Sequence, residues 1–420
     1  MTPRVRSVLI TVAIGYFVWT LGYRIWESTF NNFAVEEVGI NAAQMGLTHA
    51  IREVPGLLGF LAGFLALLLT EFHLAHLSLA LMGVGILLTA EVHGFPALVA
   101  ASFLMSTGFH FFMPANSSLV LMTVGQEEAP RVLGRLNSLS AAASVVGTLL
   151  IFGTLGRWGY RSLFQVAGIA VVACALLLLF FRTTPAPARR DRRSAPLRRR
   201  YWLYYTLNVL FGSRRHIFTT FAVYLLIREY QVPAQAITLL YLLNGLMGTY
   251  LNQFFGQVVA RFGERSVLSV NFALLALIFV GYLWVPQIPA LAATVLPIPA
   301  LRIGSWLLFP ALSATPALLV LLGLFVADNV LFNFSFALEC YFQKIALDRG
   351  EITPNVALGQ TFNHMAAVVI PVVGGVIWET VGPQYTFLAG ILIALACLGL
   401  TQWMRVPRPA LCPAPTAGAP

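Results

Sequence analysis

RTTPAPARRDRRSAPLRRR, residues 182–200, is the stretch on which the reading of this chain turns. Eight arginines stand in it against one acid, Asp191, and the prolines at 185, 187 and 196 interrupt any helix. Long apolar stretches lie on both sides. A basic, helix-breaking run between two greasy halves orients a chain in a membrane, because Arg and Lys stay with the anionic cytoplasmic leaflet. Eight arginines less one aspartate supply +7 of the +10 formal charge. The basic balance is therefore topological: it implies anionic headgroups near the linker and no nucleic acid as partner.

Working outward, only 10% of the 420 residues are charged and 58% are apolar, with a mean hydropathy of +0.80. Too few polar groups remain to coat a water-facing body of this size. Counting stretches of about 20 apolar residues predicts twelve transmembrane helices, near 8–34, 43–70, 75–92, 96–123, 135–156, 162–181, 201–228, 233–258, 267–285, 316–345, 354–379 and 384–404. Arg4, Arg6, Arg131, Arg135, the central run, Arg261, Arg265, Lys344, Arg349, Arg405 and Arg408 then fall on one side. The positive-inside rule makes that side cytoplasmic, and a multi-pass protein of the cytoplasmic (inner) membrane with both termini inside is expected. Arg157 and Arg161 run against the rule. The N-terminal apolar segment exceeds a signal peptide and reads as a retained first helix.

The halves repeat one another. A shift of 191 carries Arg24 onto Arg215, Thr29-Phe30 onto Thr220-Phe221, Ala43-Gln44 onto Ala234-Gln235 and Ser78 onto Ser269. Further on, Pro96-Ala97-Leu98 pairs with Pro316-Ala317-Leu318, and Leu133-Gly134 with Leu358-Gly359. The implied organisation is a six-helix bundle over 1–181, a basic cytoplasmic linker over 182–200, a second bundle over 201–405 and a disordered tail over 406–420. The growing shift places an insertion near 286–315, rich in proline, read as an interfacial or re-entrant segment with an extra helix pair as the competing reading.

Gly256-Gln-Val-Val-Ala-Arg261-Phe-Gly263-Glu-Arg265, between the eighth and ninth spans, resembles the loop motif Gly-x-x-x-Asp-Arg-x-Gly-Arg-Arg of the major facilitator superfamily. It departs at Ala260, where the family has Asp, and the aligned first-half stretch LALLLTEFHL keeps nothing. The resemblance implies an all-α membrane fold of two pseudo-symmetric bundles that rock about a central site. It also implies a gating role for Gly256, Arg261, Gly263 and Arg265, and a cavity lined by the first, fourth, seventh and tenth helices.

Energy sources and chemistry narrow by absence. Lys344 is the only lysine and no phosphate-binding loop contains it; HExxH and Gly-x-Ser-x-Gly are missing, so no enzyme is expected. Cys174, Cys340, Cys397 and Cys412 lie far apart, and neither disulfide framework, metal site nor cofactor is suggested.

Ionisable groups deep in a bilayer cost about 2.5–3.5 kcal/mol each on insertion scales, so each needs a partner, a wet cavity or a task. At about 1.5 Å per residue, Arg24 and Arg215 lie past mid-depth at matching positions, with Arg52, Glu53, His110, Asp328 and His364 comparably deep. Tyr16, Thr20, Tyr23, Glu27 and Asn31 form one polar stripe that includes the i,i+3 pair Arg24–Glu27. Arg52 and Glu53, as neighbours, are expected to point apart and to find separate partners. With Asn329 and Asn333 on the tenth span, these residues are the candidate substrate contacts: Arg24, Glu27, Asn31, Arg52, His110, Arg215, Asp328, Asn329 and Asn333. Glu27, Glu53 and Asp328 are the candidate proton carriers, Glu27 first.

Arg24, Arg52, Arg214 and Arg215 outnumber Glu27, Glu53 and Asp328 by four to three, which favours an anionic or carboxylate-bearing solute. The expected function is a monomeric secondary transporter of a small organic solute, coupled to protons. A proton-driven exporter of amphiphiles is the alternative within transport, and a non-transporting membrane sensor or scaffold the alternative outside it.

Overall fold

The computed structural model describes residues 3–58, 69–124, 129–181, 198–304, 306–347 and 352–405. The expected disordered tail, nearly all of the basic linker and the C-terminal part of the second span lie outside them.

The first half holds α1 (Pro3–Glu36), α2 (Ala42–Leu57), α3 (Glu71–Thr89) and α4 (Phe95–Thr123). One continuous run, Ala129–Leu179, is two spans, α5 and α6, that meet at Gly159 with φ +72°. The second half holds α7, built from Trp202–Ile217, a wide π turn at Phe218–Ala222 and Val223–Arg228. It continues with α8 (Ala234–Phe262) and α9 (Glu264–Trp284). Next comes α10, in which Pro316–Phe332 and Phe336–Ile345 are joined by a 3₁₀ turn at Asn333–Ser335. The half closes with α11 (Ile352–Thr380) and α12 (Pro383–Thr401). Among the described residues this gives twelve spans, six per half, and helices suit lipid because each satisfies its own backbone groups.

Local chemistry sets the starts. Asn41 and Gln44 form a capping box at α2, the Gln44 N–H donating to Asn41 Oδ1 at 2.8 Å and the Asn41 N–H to Gln44 Oε1 at 3.1 Å. Thr315 caps α10 ahead of Pro316. Leu149, Ile169, Leu177, Val270, Leu277 and Leu392 are more than half exposed; a belt of large bare hydrophobics on the outside of a bundle is a surface made for acyl chains.

The insertion is not the extra helix pair of the competing reading. After a one-turn helix at Pro289–Ala292 the chain forms an antiparallel arm. β1 (Leu296–Ile298) pairs with β4 (Leu312–Ala314), and β2 (Leu301–Ile303) with β3 (Trp306–Phe309). Proline at 286, 289, 297, 299 and 310 denies a helix its hydrogen bonds, while the leucines and isoleucines between them suit short strands. The arm leaves its own half and lies on α5, where the Leu307 carbonyl occupies the place a side chain at Gly156 would take.

The halves meet at the end that carries this arm. The Ala42 N–H donates to Glu379 at 2.9 Å and Asn32 Nδ2 to the Val232 carbonyl at 2.9 Å. Along α2 and α11, Gly46 sits against the Pro371 carbonyl, so that any side chain there would collide with backbone. Close approach through small residues is how helices gain contact where no hydrophobic force separates lipid from protein. At the same end Arg161 is held by Glu37 at 2.8 Å and by the Ala90 carbonyl at 2.7 Å, which neutralises one of the two charges that contradicted the positive-inside pattern.

Candidate binding site between the halves

Along α1 the Arg24 guanidinium reaches Glu27 Oε2 at 3.2 Å, and the Tyr23 hydroxyl donates to Glu27 Oε1 at 2.8 Å. Arg24 and Glu27 keep 26% and 27% of their side-chain surface. That surface faces the other half and not lipid, since the Arg24 guanidinium lies 5.9 Å from the centre of the Tyr241 ring on α8. A cation of the first half thus stands over an aromatic ring of the second.

The second half contributes a tighter knot. Asp328 on α10 is fully enclosed and accepts from both neighbouring arginines of α7, Arg214 through Oδ1 and Arg215 through Oδ2, the latter at 2.8 Å. Arg214 is equally enclosed, against Phe211 and Phe279. Arg215 keeps an open edge: it also donates to Asn329 Oδ1 at 2.8 Å and stacks 4.3 Å over Phe332. A buried carboxylate shared by two guanidiniums leaves one positive charge over, and the exposed part of that surplus is Arg215. Asn333, at the 3₁₀ turn, donates back to the carbonyls of Asn329 and Val330.

A third group spans the interface. Glu53 Oε2 on α2 lies 3.1 Å from His364 Nδ1 on α11 and 4.0 Å from His110 Nε2 on α4. Arg52 and Glu53 do not point apart as expected: Arg52 lies 3.9 Å from Glu53 Oε1 while its guanidinium covers Trp26 at 5.7 Å. Glu53 nonetheless finds its closest partner in the opposite half.

Asn31 bonds to a different set of partners. It is buried, its Oδ1 is 3.1 Å from His49 Nε2, and His49 Nδ1 is 3.2 Å from the Thr220 hydroxyl. His49, His216 and Tyr241 were not among the candidates; His49 stands four residues before Glu53, one helical turn away on the same face, and that spacing is the signal that marks it. The π turn of α7 carries Thr220; such turns recur at functional positions.

In the loop between α8 and α9, Gly263 takes φ +78° and ends α8. Arg265 donates to Gln402 Oε1 at 3.3 Å, Arg261 lies over Phe262, and Gly256 faces open space. Lys344, half exposed, pairs at 2.6 Å with the buried Glu264. The motif is therefore tied to its own half through Arg265 and Glu264.

The model of the Major Facilitator Superfamily matches residues 12–336. The chain belongs to this superfamily. No curated protein matches it. Among solved structures, this superfamily member resembles a mutant form of the nucleoside transporter NupG with a TM-score of 0.75 at 11% identity, covering 94% of this chain and 99% of that one. It also resembles a bacterial homolog of the human lysosomal transporter Spinster, in an inward-facing and occupied conformation. There the TM-score is 0.72 at 12% identity, covering 96% and 97%. At such identities the shared property is the fold. As a superfamily member the chain is a multi-pass secondary transporter.

Proposed function

We propose that this chain moves a small organic anion by alternating access, in symport with a proton, across the cytoplasmic membrane with the linker end inside. The observation that carries the reading is that Arg24 of the first half stands 5.9 Å from the centre of the Tyr241 ring of the second, with the net surplus of the Asp328 group exposed at Arg215. A carboxylate or similar anion would take paired donors from Arg215 and Asn329.

Coupling follows from competition. When the solute anion draws Arg24 away, Glu27 loses its countercharge in a site of low dielectric and takes up a proton, so that solute and proton travel together. Asp328 does not enter this cycle, because both of its oxygens already accept from arginines.

Purified protein in liposomes with an imposed pH gradient tests the proposal against a panel of organic anions, neutral solutes and cationic amphiphiles. The expected result is gradient-driven accumulation of an anion, reduced at least about tenfold, the loss of roughly one charge-assisted contact, by Arg215→Gln or Arg24→Gln. Efflux of amphiphiles unaffected by either substitution would favour the exporter. Absence of flux across the whole panel would favour a sensor or scaffold.

A further inference from the structure

We propose that Glu53, His110 and His364 form a binding site for one divalent transition-metal ion of the zinc class, which clasps the two halves together. The inference does not rest on the solute assigned above.

Two imidazole nitrogens and a carboxylate oxygen converge there, all within 4.8 Å of one another. Zinc ligands at about 2.0–2.2 Å in a tetrahedron stand about 3.4 Å apart; the observed separations from Glu53 Oε2 are 3.1 and 4.0 Å. The two rings lie 5.4 Å apart at 80°, edge to face, so their lone pairs can be aimed at one point without a clash.

His110 is prepared for the task. Its Nδ1 lies 3.0 Å from the Ser106 carbonyl and 3.0 Å from the Ser106 hydroxyl. Donation from Nδ1 to the carbonyl places the proton there and leaves the Nε2 lone pair facing Glu53; holding the far nitrogen in this way is what fixes metal-binding histidines.

Gly56 keeps the space open. A side chain carbon there would lie 2.8 Å from His110 Nε2 and 2.8 Å from His364 Nδ1, directly between the two donor nitrogens. The one residue type that leaves room for an ion of about 2 Å bond length stands one turn after the carboxylate that would bind it. All three ligand residues are partly exposed toward the inter-half space, which gives the ion a path in and leaves a coordination position for water or solute.

The surroundings discriminate among cations. Arg52 stands at the other oxygen of Glu53, 3.9 Å away. Its positive charge opposes any cation, and opposes most effectively hard ions such as Mg²⁺ and Ca²⁺, which bind by charge and oxygen donors alone. An ion that gains covalent character from imidazole is favoured instead. Because Glu53 and His110 belong to one half and His364 to the other, an occupied site holds the arm-bearing end shut.

The test is equilibrium binding of Zn²⁺ to the purified full-length protein in detergent, in a large excess of Mg²⁺. One Zn²⁺ per chain is expected, weakened more than about tenfold, the scale of a lost supporting contact, by His364→Asn, by Glu53→Gln and by Gly56→Ala. His364→Cys, which offers a thiolate, is expected to retain binding, so that loss through misfolding is told apart from loss of a ligand. Zn²⁺ that fails to bind, or that binds equally well to the His364→Asn and Glu53→Gln proteins, would overturn the proposal. In liposomes, inhibition of flux by Zn²⁺ that His364→Asn relieves would show the clasp at work, whichever solute is carried.

Discussion

Glu53 and His364, one from each half, approach to 3.1 Å beneath the contact of Gly46 with Pro371. Between that pair and the arm α2 packs on α11, and Asn32 and His49 also bond across to the second half, so opening the arm-bearing end must also separate carboxylate from imidazole. The pair therefore sets part of the equilibrium between the two orientations. Replacing His364 with Ala removes the attraction and should shift the population toward the state open at the arm. A cysteine placed at Ala43, which faces Gly375 across the seam, would report this through faster labelling from that side in the His364→Ala background.

Glu27 offers a separation of coupling from transport. With glutamine in its place Arg24 keeps a polar neighbour but the proton has no carrier. The expected outcome for Glu27→Gln is loss of accumulation driven by a pH gradient, while exchange of labelled for unlabelled solute continues. Equal loss of both activities would assign Glu27 to solute binding alone.

The enclosed Arg214–Asp328 pair carries stability more than recognition. Removing one partner of an enclosed ion pair strands the other, at a cost of about 3–5 kcal/mol. Asp328→Asn should lower the melting temperature in detergent sharply. The double change Asp328→Leu with Arg214→Met should recover much of the loss, since well-packed apolar residues replace buried charges at little cost. Arg214 is suited to this comparison because its Nε and Nη2 already lack partners.

How much of this was readable follows from what lipid does to a sequence. Span length is imposed by the bilayer, so α1, α4, α9 and α12 fall close to their predicted limits. Deep charges are costly enough to stand out singly, so Arg24, Glu27, Arg52, Glu53, Arg215 and Asp328 were visible without any structure. Which residues meet was not. Lipid is as apolar as a packed helix face, so periodicity does not tell the two apart, and neither the pairing of α2 with α11 through Gly46 nor the burial of Asn31 against His49 leaves a trace in the pattern. The π turn of α7 and the 3₁₀ turn of α10 interrupt stretches that read as continuous helix, since backbone irregularity depends on neighbours supplied by the fold. The strand pairing of the arm was not legible because hydropathy describes its apolar pieces without their backbone, which its prolines and strand-forming residues decide.

That arm gives a last prediction. It grows from the second half but rests on α5 of the first, with Leu307 against Gly156, and it borders a cavity of about 650 Å³ lined by Glu36, Tyr160, Arg228 and Gln235 from both halves. When the halves separate at this end the arm must either travel with its own half or hold the gap closed. Gly156→Val decides between these, because its side chain would occupy the place of the Leu307 carbonyl and push the arm off α5. If the arm holds the gap closed, the cysteine at Ala43 should label faster from the arm side in the Gly156→Val protein, in the same direction as His364→Ala. Unchanged labelling with transport intact would mean that the arm rides with its own half and that the direct contacts between the halves, the seam of α2 with α11 among them, keep this end shut.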